Sequence, residues 1–203
     1  EVNNMGNGIA NDDSVFTSNI DTITYLDIRN QSISDLTGIE DFAALTTLLC
    51  MDNLLTSLDV SNNTVLSELK CQRNQLTLLQ LNSSLTFLSC KDNSLINLDV
   101  SNIPSLSFLH CNNNQLIDLN VANNNNSNFI VPSGVNSISP FRADGNPNLT
   151  CIEVDNVSYS IANWTYIDSW ASFSADCSPA LTYVPDDNFE QALINLGYDN
   201  VLD

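Results

Sequence analysis

Apolar residues recur along this chain in a fixed, long-period pattern. The segments LTTLLCMDNLL, LSELKCQRNQL, LTFLSCKDNSL and LSFLHCNNNQL open at Leu45, Leu66, Leu85 and Leu106, and each reads L-x-x-L-x-C-x-x-N-x-L. A looser copy opens at Ile23, with Ile28 and Gln31 in the Cys and Asn slots. Another opens at Ile138, with Ala143 and Asn146 in those slots and one extra residue before Leu149. The openings lie 22, 21, 19, 21 and 32 residues apart. Each cysteine-bearing unit has a second apolar half, as in LTSLDVSNN, LTLLQLNSS, LINLDVSNI and LIDLNVANN. Alternate side chains of a strand share a face. The pattern therefore predicts short strands with Leu69 and Cys71 turned inward and Lys70 turned outward between them. Units stacked as parallel strands about 4.8 Å apart align three ladders. These are Leu48, Leu69, Leu88 and Leu109; Cys50, Cys71, Cys90 and Cys111; and Asn53, Asn74, Asn93 and Asn114.

The pattern resembles the bacterial leucine-rich repeat in its 21-residue, IRREKO-like form with a cysteine and a trailing L-D-V. Secreted and surface proteins of Bacteroidota carry such repeats. The resemblance implies a leucine-rich repeat solenoid, formally α/β but β-rich. Its parallel sheet lines the concave face, and short or irregular second strands lie on the convex side. It also implies that the ladder asparagines turn inward and satisfy backbone groups at the bend. The expected organisation is a cap remainder at 1–22, six rungs over 23–150 with an insertion at 122–137, a C-terminal lid at 151–179, and a helical segment at 180–203.

The cysteines invite a chemical reading, since a thiol near Lys70 and Arg73 can be activated or bind metal. The ladder argues otherwise. It presents one thiol per rung in a line, whereas a zinc site needs convergent ligands. Rung spacing also exceeds the roughly 3.8 Å between Cβ atoms of a disulfide. Cys50, Cys71, Cys90 and Cys111 are expected to be reduced, buried hydrophobes. Cys151 and Cys177 stand outside the ladder and are expected to pair across an aromatic-rich segment with Trp164 and Phe173. An open solenoid end needs such a lid. The bond implies an oxidising compartment, hence an extracellular or cell-surface location. The tail reads as a helix with Asp187 as cap, Glu190 three residues on, Phe189 and Leu193 on one face and Gly197 as stop. It resembles the opening of a further repeat module, and Met5-Gly6 at the chain's start parallels Leu196-Gly197, as Ile9 parallels Val201. From this we expect possible self-association, with the tail of one molecule on the first rung of another.

Charge sharpens the picture. The chain has 24 acidic and 5 basic residues, for a net charge of −19, which argues against nucleic acid as a partner. No apolar run is long enough to span a membrane, and no signal-peptide pattern opens the chain, which therefore reads as a mature or excised segment. Arg29, Lys70, Lys91 and Arg142 fall on the outward strand positions, together with Tyr25, Phe87, Phe108 and the single His110; Arg73 lies just beyond. These eight strip residues form the candidate binding site, for a protein or an acidic polysaccharide. Asp59, Asp99 and Asp118, with Ser61, Asn82 and Ser101, are expected on the convex surface. No calcium-loop motif accompanies them, so no metal or cofactor is expected. No nucleophile, phosphate-loop or dinucleotide motif appears. The expected function is a non-enzymatic recognition or adhesion module; the alternative is a structural spacer or head-to-tail module of a larger adhesin or secreted enzyme.

Overall fold

The computed structural model describes residues 15–125, 127, 129, 139–178 and 187–197. The expectations for residues 1–14, for most of the 122–137 insertion and for the ends of the tail lie outside these residues.

The repeat folds into short parallel strands of two or three residues each. Six of them carry the first half of each unit: β1 (Tyr25–Asp27), β2 (Thr47–Leu49), β4 (Glu68–Lys70), β6 (Phe87–Ser89), β8 (Phe108–His110) and β10 (Phe141–Arg142). They form one continuous sheet in that order. Its register aligns Leu26, Leu48, Leu69, Leu88, Leu109 and Phe141, so the inward ladder is unbroken. The second halves supply β3 (Ser57–Asp59), β5 (Leu78–Gln80), β7 (Asn97–Asp99), β9 (Asp118–Asn120) and β11 (Cys151–Glu153), with β12 (Ser172–Ser174) beyond them. This is a leucine-rich repeat solenoid with short second strands and little helix.

The core is the stack of inward slots. Leu48, Leu69, Leu88 and Leu109 are fully buried, as are Cys50, Cys71, Cys90 and Cys111. Each thiol sits 3.5–3.6 Å from a carbonyl of the next rung where such a contact forms, as for Cys50, Cys71 and Cys111. Burial pushes the thiols of Cys50 and Cys90 up to about 12 and raises those of Cys71 and Cys111 well above the usual range. A thiol attacks as its thiolate. We therefore expect all four to resist iodoacetamide at pH 8 in the folded protein and to react in denaturant. Mass spectrometry of the alkylated chain checks this; rapid native labelling of any ladder cysteine contradicts it.

The corner of each rung turns through a left-handed residue, at Asp52, Arg73, Asp92, Asn113 and Gly145. Gly145 takes this corner in the last unit, where a Cβ would push the Asn113 side chain aside. The ladder asparagines tie these corners together. Asn93 donates through Nδ2 to the carbonyls of Cys71 and Cys90 at 3.1 and 3.0 Å, and its Oδ1 accepts from the Leu76 amide at 3.0 Å. Asn53, Asn74, Asn114 and Asn146 make the same bonds within and between their rungs.

The repeat signature ends at the sixth unit, yet the chain makes a seventh turn. Helix α1 (Val157–Asn163) leads to Trp164, and Ala143 donates its amide to the Tyr166 carbonyl at 2.9 Å, extending the long sheet's bonding pattern by one rung. Asp168 accepts from the amides of Gly145 and Asn146 at 3.0 and 2.8 Å, doing at this end what Asn53 does for Gln31 and Ile33. β12 then pairs with β11, and the Cys151–Cys177 disulfide fastens the turn to the array. Trp164 stacks on Phe141 and meets Phe129 and Phe173 edge-on, closing the core with aromatic rings. Near the C-terminus, helix α2 (Asp187–Asn195) forms where the tail pattern placed one and stops at Gly197, which has a φ of +77°. Its first helical residue is Asp187, one position later than a cap.

The second strands do not form a single sheet. β3 pairs only with β5, while β7, β9, β11 and β12 form a separate sheet. The break falls at the 19-residue unit, whose return turn from Leu81 to Leu85 is two residues shorter than those from Val60 to Leu66 and from Val100 to Leu106. One expectation fails in this turn. Asn82, placed by pattern on the exposed convex surface, is buried at 4% exposure, because the shortened turn draws it under the chain.

Candidate binding face

The outward side chains of the long sheet lie in rows set by the register. Tyr25, Thr47, Glu68, Phe87 and Phe108 form one row, and Asp27, Leu49, Lys70, Ser89, His110 and Arg142 the next. Six of the eight candidate residues stand in these rows, because alternation fixes the side once the Leu and Cys slots are buried; Arg29 and Lys91 follow just past the ends of β1 and β6.

Phe87 and Phe108 stack with ring centroids 3.9 Å apart and planes within 8° of parallel. The Lys70 ammonium lies 4.9 Å from the Phe87 centroid, and the His110 ring lies 4.2 Å from that of Phe108. Lys70, Phe87, Phe108 and His110 thus form a continuous ridge across three strands. Arg142 lies over the Tyr166 ring at 4.9 Å, so Tyr166 of the seventh turn extends the face. Tyr25 at the other end is 56% exposed.

The cations are not free. Arg29 forms a two-point pair with Asp27 at 2.8 and 2.7 Å, and Arg142 one with Asp144 at 3.1 and 2.9 Å. Lys70 meets Glu68 at 2.6 Å, and Lys91 stands 3.9 Å from Asp92. Arg73 bridges to Asp52 on the preceding rung. The hydrogen bond from Arg29 holds the Asp27 carboxyl below the usual carboxylate range, and that from Arg73 does the same for Asp52. Five of the 24 acidic residues are matched to the five cations in this way, which leaves 19 elsewhere. Among the described residues, each cation of the strip is thus matched to one carboxylate, and the strip is locally neutral.

Exposure along the strip is uneven. Leu49, Ser89, His110 and Asn112 occupy outward slots yet are all under 9% exposed, because bulky neighbours in adjacent rows cover them. His110 hydrogen-bonds through Nε2 to the Ser139 carbonyl at 2.8 Å, where the chain returns from the insertion. Its pKa is lowered, chiefly by burial, with the charges of Arg142 and Lys91 adding to the effect against the Ser139 bond. Burial thus disfavours the charged form of this imidazole.

Among the described residues, no three His, Cys, Asp or Glu side chains are grouped to hold a metal ion, and no helix is long and apolar enough to cross a membrane. Tyr166 is the face residue that pattern reading missed. Its signal is a weak one, the 21-residue offset that sets Phe173 under Ile152.

The fold and its thiol ladder have a counterpart among solved structures. A functional domain of InlJ from Listeria monocytogenes, described as including a cysteine ladder, superposes with a TM-score of 0.51 at 33% identity, over 69% of this chain and 32% of that one. The likeness supports a bacterial leucine-rich repeat protein. Internalin J of Listeria monocytogenes serotype 4b (strain F2365) is 46% identical over 52 residues, which are 26% of this chain and 6% of that protein. The chain thus spans a small part of the length of the relatives it matches. No protein-family model matches it.

Proposed function

We propose that this chain is a non-enzymatic, extracellular recognition module that binds a protein partner through the strand face, with Tyr25, Arg29, Lys70, Phe87, Lys91, Phe108, His110 and Arg142 as its contact residues. The observation that carries this reading is the neutral strip on an otherwise acidic molecule. Aromatic side chains and arginines dominate protein interfaces, and paired charges there select a partner by re-pairing with its complementary groups. The same observation weighs against an acidic glycan. Cations already matched to carboxylates offer little to a polyanion, and both faces of Phe87 are occupied, by Phe108 and Lys70. The leucine-rich repeat solenoid and its likeness to internalin J support a protein-interaction role. The Cys151–Cys177 bond supports an oxidising, extracellular site of action.

The test is a screen of immobilised ectodomains and acidic polysaccharides, repeated with Lys70, Lys91 and Arg142 all changed to Glu. We expect saturable binding to a protein and a loss of at least about tenfold in affinity in the variant. Binding confined to polysaccharides, or a protein affinity unmoved by the reversal, overturns the reading.

A spacer or self-assembling role is a second reading, favoured by one observation. Leu26, Ile28, Ile33, Leu36 and Phe42 of the first rung are only partly buried and line an open apolar hollow of about 520 Å³. Phe189 on helix α2 and Leu196 just past its end are 57% and 69% exposed. A head-to-tail contact would cover both. Sedimentation showing a monomer at high concentration, unchanged by deletion of 180–203, removes this reading.

A further inference from the structure

The interruption of the second-strand sheet lies directly behind the candidate face, and the two share one rung boundary. On the face side, β4 and β6 stay paired in full register, and Cys71 and Arg73 donate to the Ser89 and Lys91 carbonyls at 2.9 and 3.2 Å. The corner is also tied, since Ser94 donates to the Leu76 carbonyl at 2.9 Å and Leu76 to Asn93.

On the back, the bonds that join every other pair of cysteine-type rungs are missing. Val60 donates to Gln80 at 3.0 Å, Val100 to Asn120 at 2.9 Å, Val121 to Glu153 at 2.8 Å and Val154 to Ser174 at 2.9 Å. Leu81 occupies the same slot with no such bond, because β5 and β7 belong to different sheets. Burial follows the bonding. Leu58, Leu98 and Leu119 are 2–4% exposed and Val60, Val100 and Val121 fully buried, whereas Leu79 and Leu81 are only partly buried. The Asn82 Nδ2 in the short turn is buried without a hydrogen-bond partner. In the longer turns Asn63 and Asn123 donate from Nδ2 to the carbonyls of Ile39 and Ile103.

We propose that this rung boundary is a built-in hinge. The rungs up to β5 pivot against those from β6 onward, with the unbroken β4–β6 pairing as the axis and the back side opening and closing. A parallel solenoid is normally held on both sides of its core, and each rung contacts only its neighbours; loss of one side leaves a single line of bonds to bend about. The pivot acts on the candidate site, because Lys70 on β4 lies over Phe87 on β6 and Glu68 is in register with Phe87. Opening the back tilts these two strands and changes how the Lys70–Phe87–Phe108 ridge is presented. The motion lets the face adapt its curvature to a bound partner, a consequence that rests on the recognition reading above.

Amide hydrogen exchange on the 203-residue chain tests the hinge without any ligand. Local opening releases amides well before global unfolding. The Leu79 and Leu81 amides should exchange at least about tenfold faster than those of Val60, Val100 and Val121. Inserting Asn-Asn between Asn82 and Ser83, which restores a 21-residue unit, should slow them to match and leave Cys71 and Cys90 unchanged. Microsecond-to-millisecond relaxation dispersion at Lys70 and Phe87, abolished by the insertion, reports the motion on the face. Equal protection at Leu81 and Val60 in the unaltered chain overturns the hinge. Fast exchange at Leu81 without dispersion at Lys70 and Phe87 overturns its link to the face. Neither result depends on the charge-reversal experiment, so the hinge and the binding reading fail separately.

Discussion

Replacing Cys151 and Cys177 together by serine lowers the unfolding free energy by about 3 kcal/mol, and the loss is concentrated in the seventh turn. The bond closes a span of 26 residues, for which the loss of loop-closure entropy in the unfolded chain is worth about 3 kcal/mol. At this chain length that corresponds to a fall of roughly 6–12 °C in Tm. The local effect follows from what the bond holds. Cys151 lies in β11 and Cys177 just past β12, so the disulfide fixes the last strand pair of the array. Behind it, Trp164 covers Phe141 and Phe129 at 1% exposure, while Trp170 is 54% exposed. Freed of the bond, the turn opens first and wets Trp164. Calorimetry checks the magnitude. Tryptophan fluorescence checks the place, with an early red shift from Trp164 preceding loss of the far-ultraviolet signal. A Tm shift under about 2 °C, or a single transition by both probes, would refute the local account.

Asn93→Ala has the other large effect. The side chain satisfies the Cys71 and Cys90 carbonyls and the Leu76 amide, all in the interior of the array. Its removal leaves the buried Leu76 amide unpaired, at a cost of about 1–3 kcal/mol, and takes one of two donors from the Cys71 and Cys90 carbonyls, which keep Asn74 and Asn114. We expect a total loss of about 3 kcal/mol, most of it from the unpaired amide. Leu116 and Leu95 receive the same service from Asn146 and Asn114, so Asn114→Ala should behave alike. Asn113→Ala, on the exposed corner beside it, should cost far less, since its Nδ2 only meets Asp92 on the surface. Urea titration of the three variants decides the matter. Similar losses for Asn93→Ala and Asn113→Ala would show that the inward ladder carries no special weight.

Much of this architecture was legible because the repeat fixes direction twice, once through the leucine and once through the cysteine. Residues such as Lys70 inherit their side from the buried slots next to them. What alternation cannot tell is how far a neighbour overhangs, so Ser89, His110 and Asn112 face outward yet lie covered. Nor does it show pairing. Glu68 sits two residues before Lys70, and Asp144 two after Arg142, a spacing that places each carboxylate beside its cation on one strand face. The seventh turn escaped the pattern because Trp164, Thr165 and Ile167 replace the leucines and cysteine that mark the others, and Asp168 replaces the asparagine. Conversely, the short unit was visible as a 19-residue spacing, but only the bonding showed that its cost falls on β5 and not on the face.

Among the described residues, the five ion pairs leave one face without unmatched cations, which gives this part of the molecule electrical sidedness. A particle whose charge lies off one face turns that face toward other anionic bodies, because every other orientation brings like charges together. Near an acidic cell envelope or another copy of itself, this chain is repelled back-first and admitted face-first. The bias extends about 10 Å at 0.1 M salt and about 30 Å at 0.01 M. The same residues that look inert when counted as surface salt bridges therefore determine which side of the protein a neighbour meets.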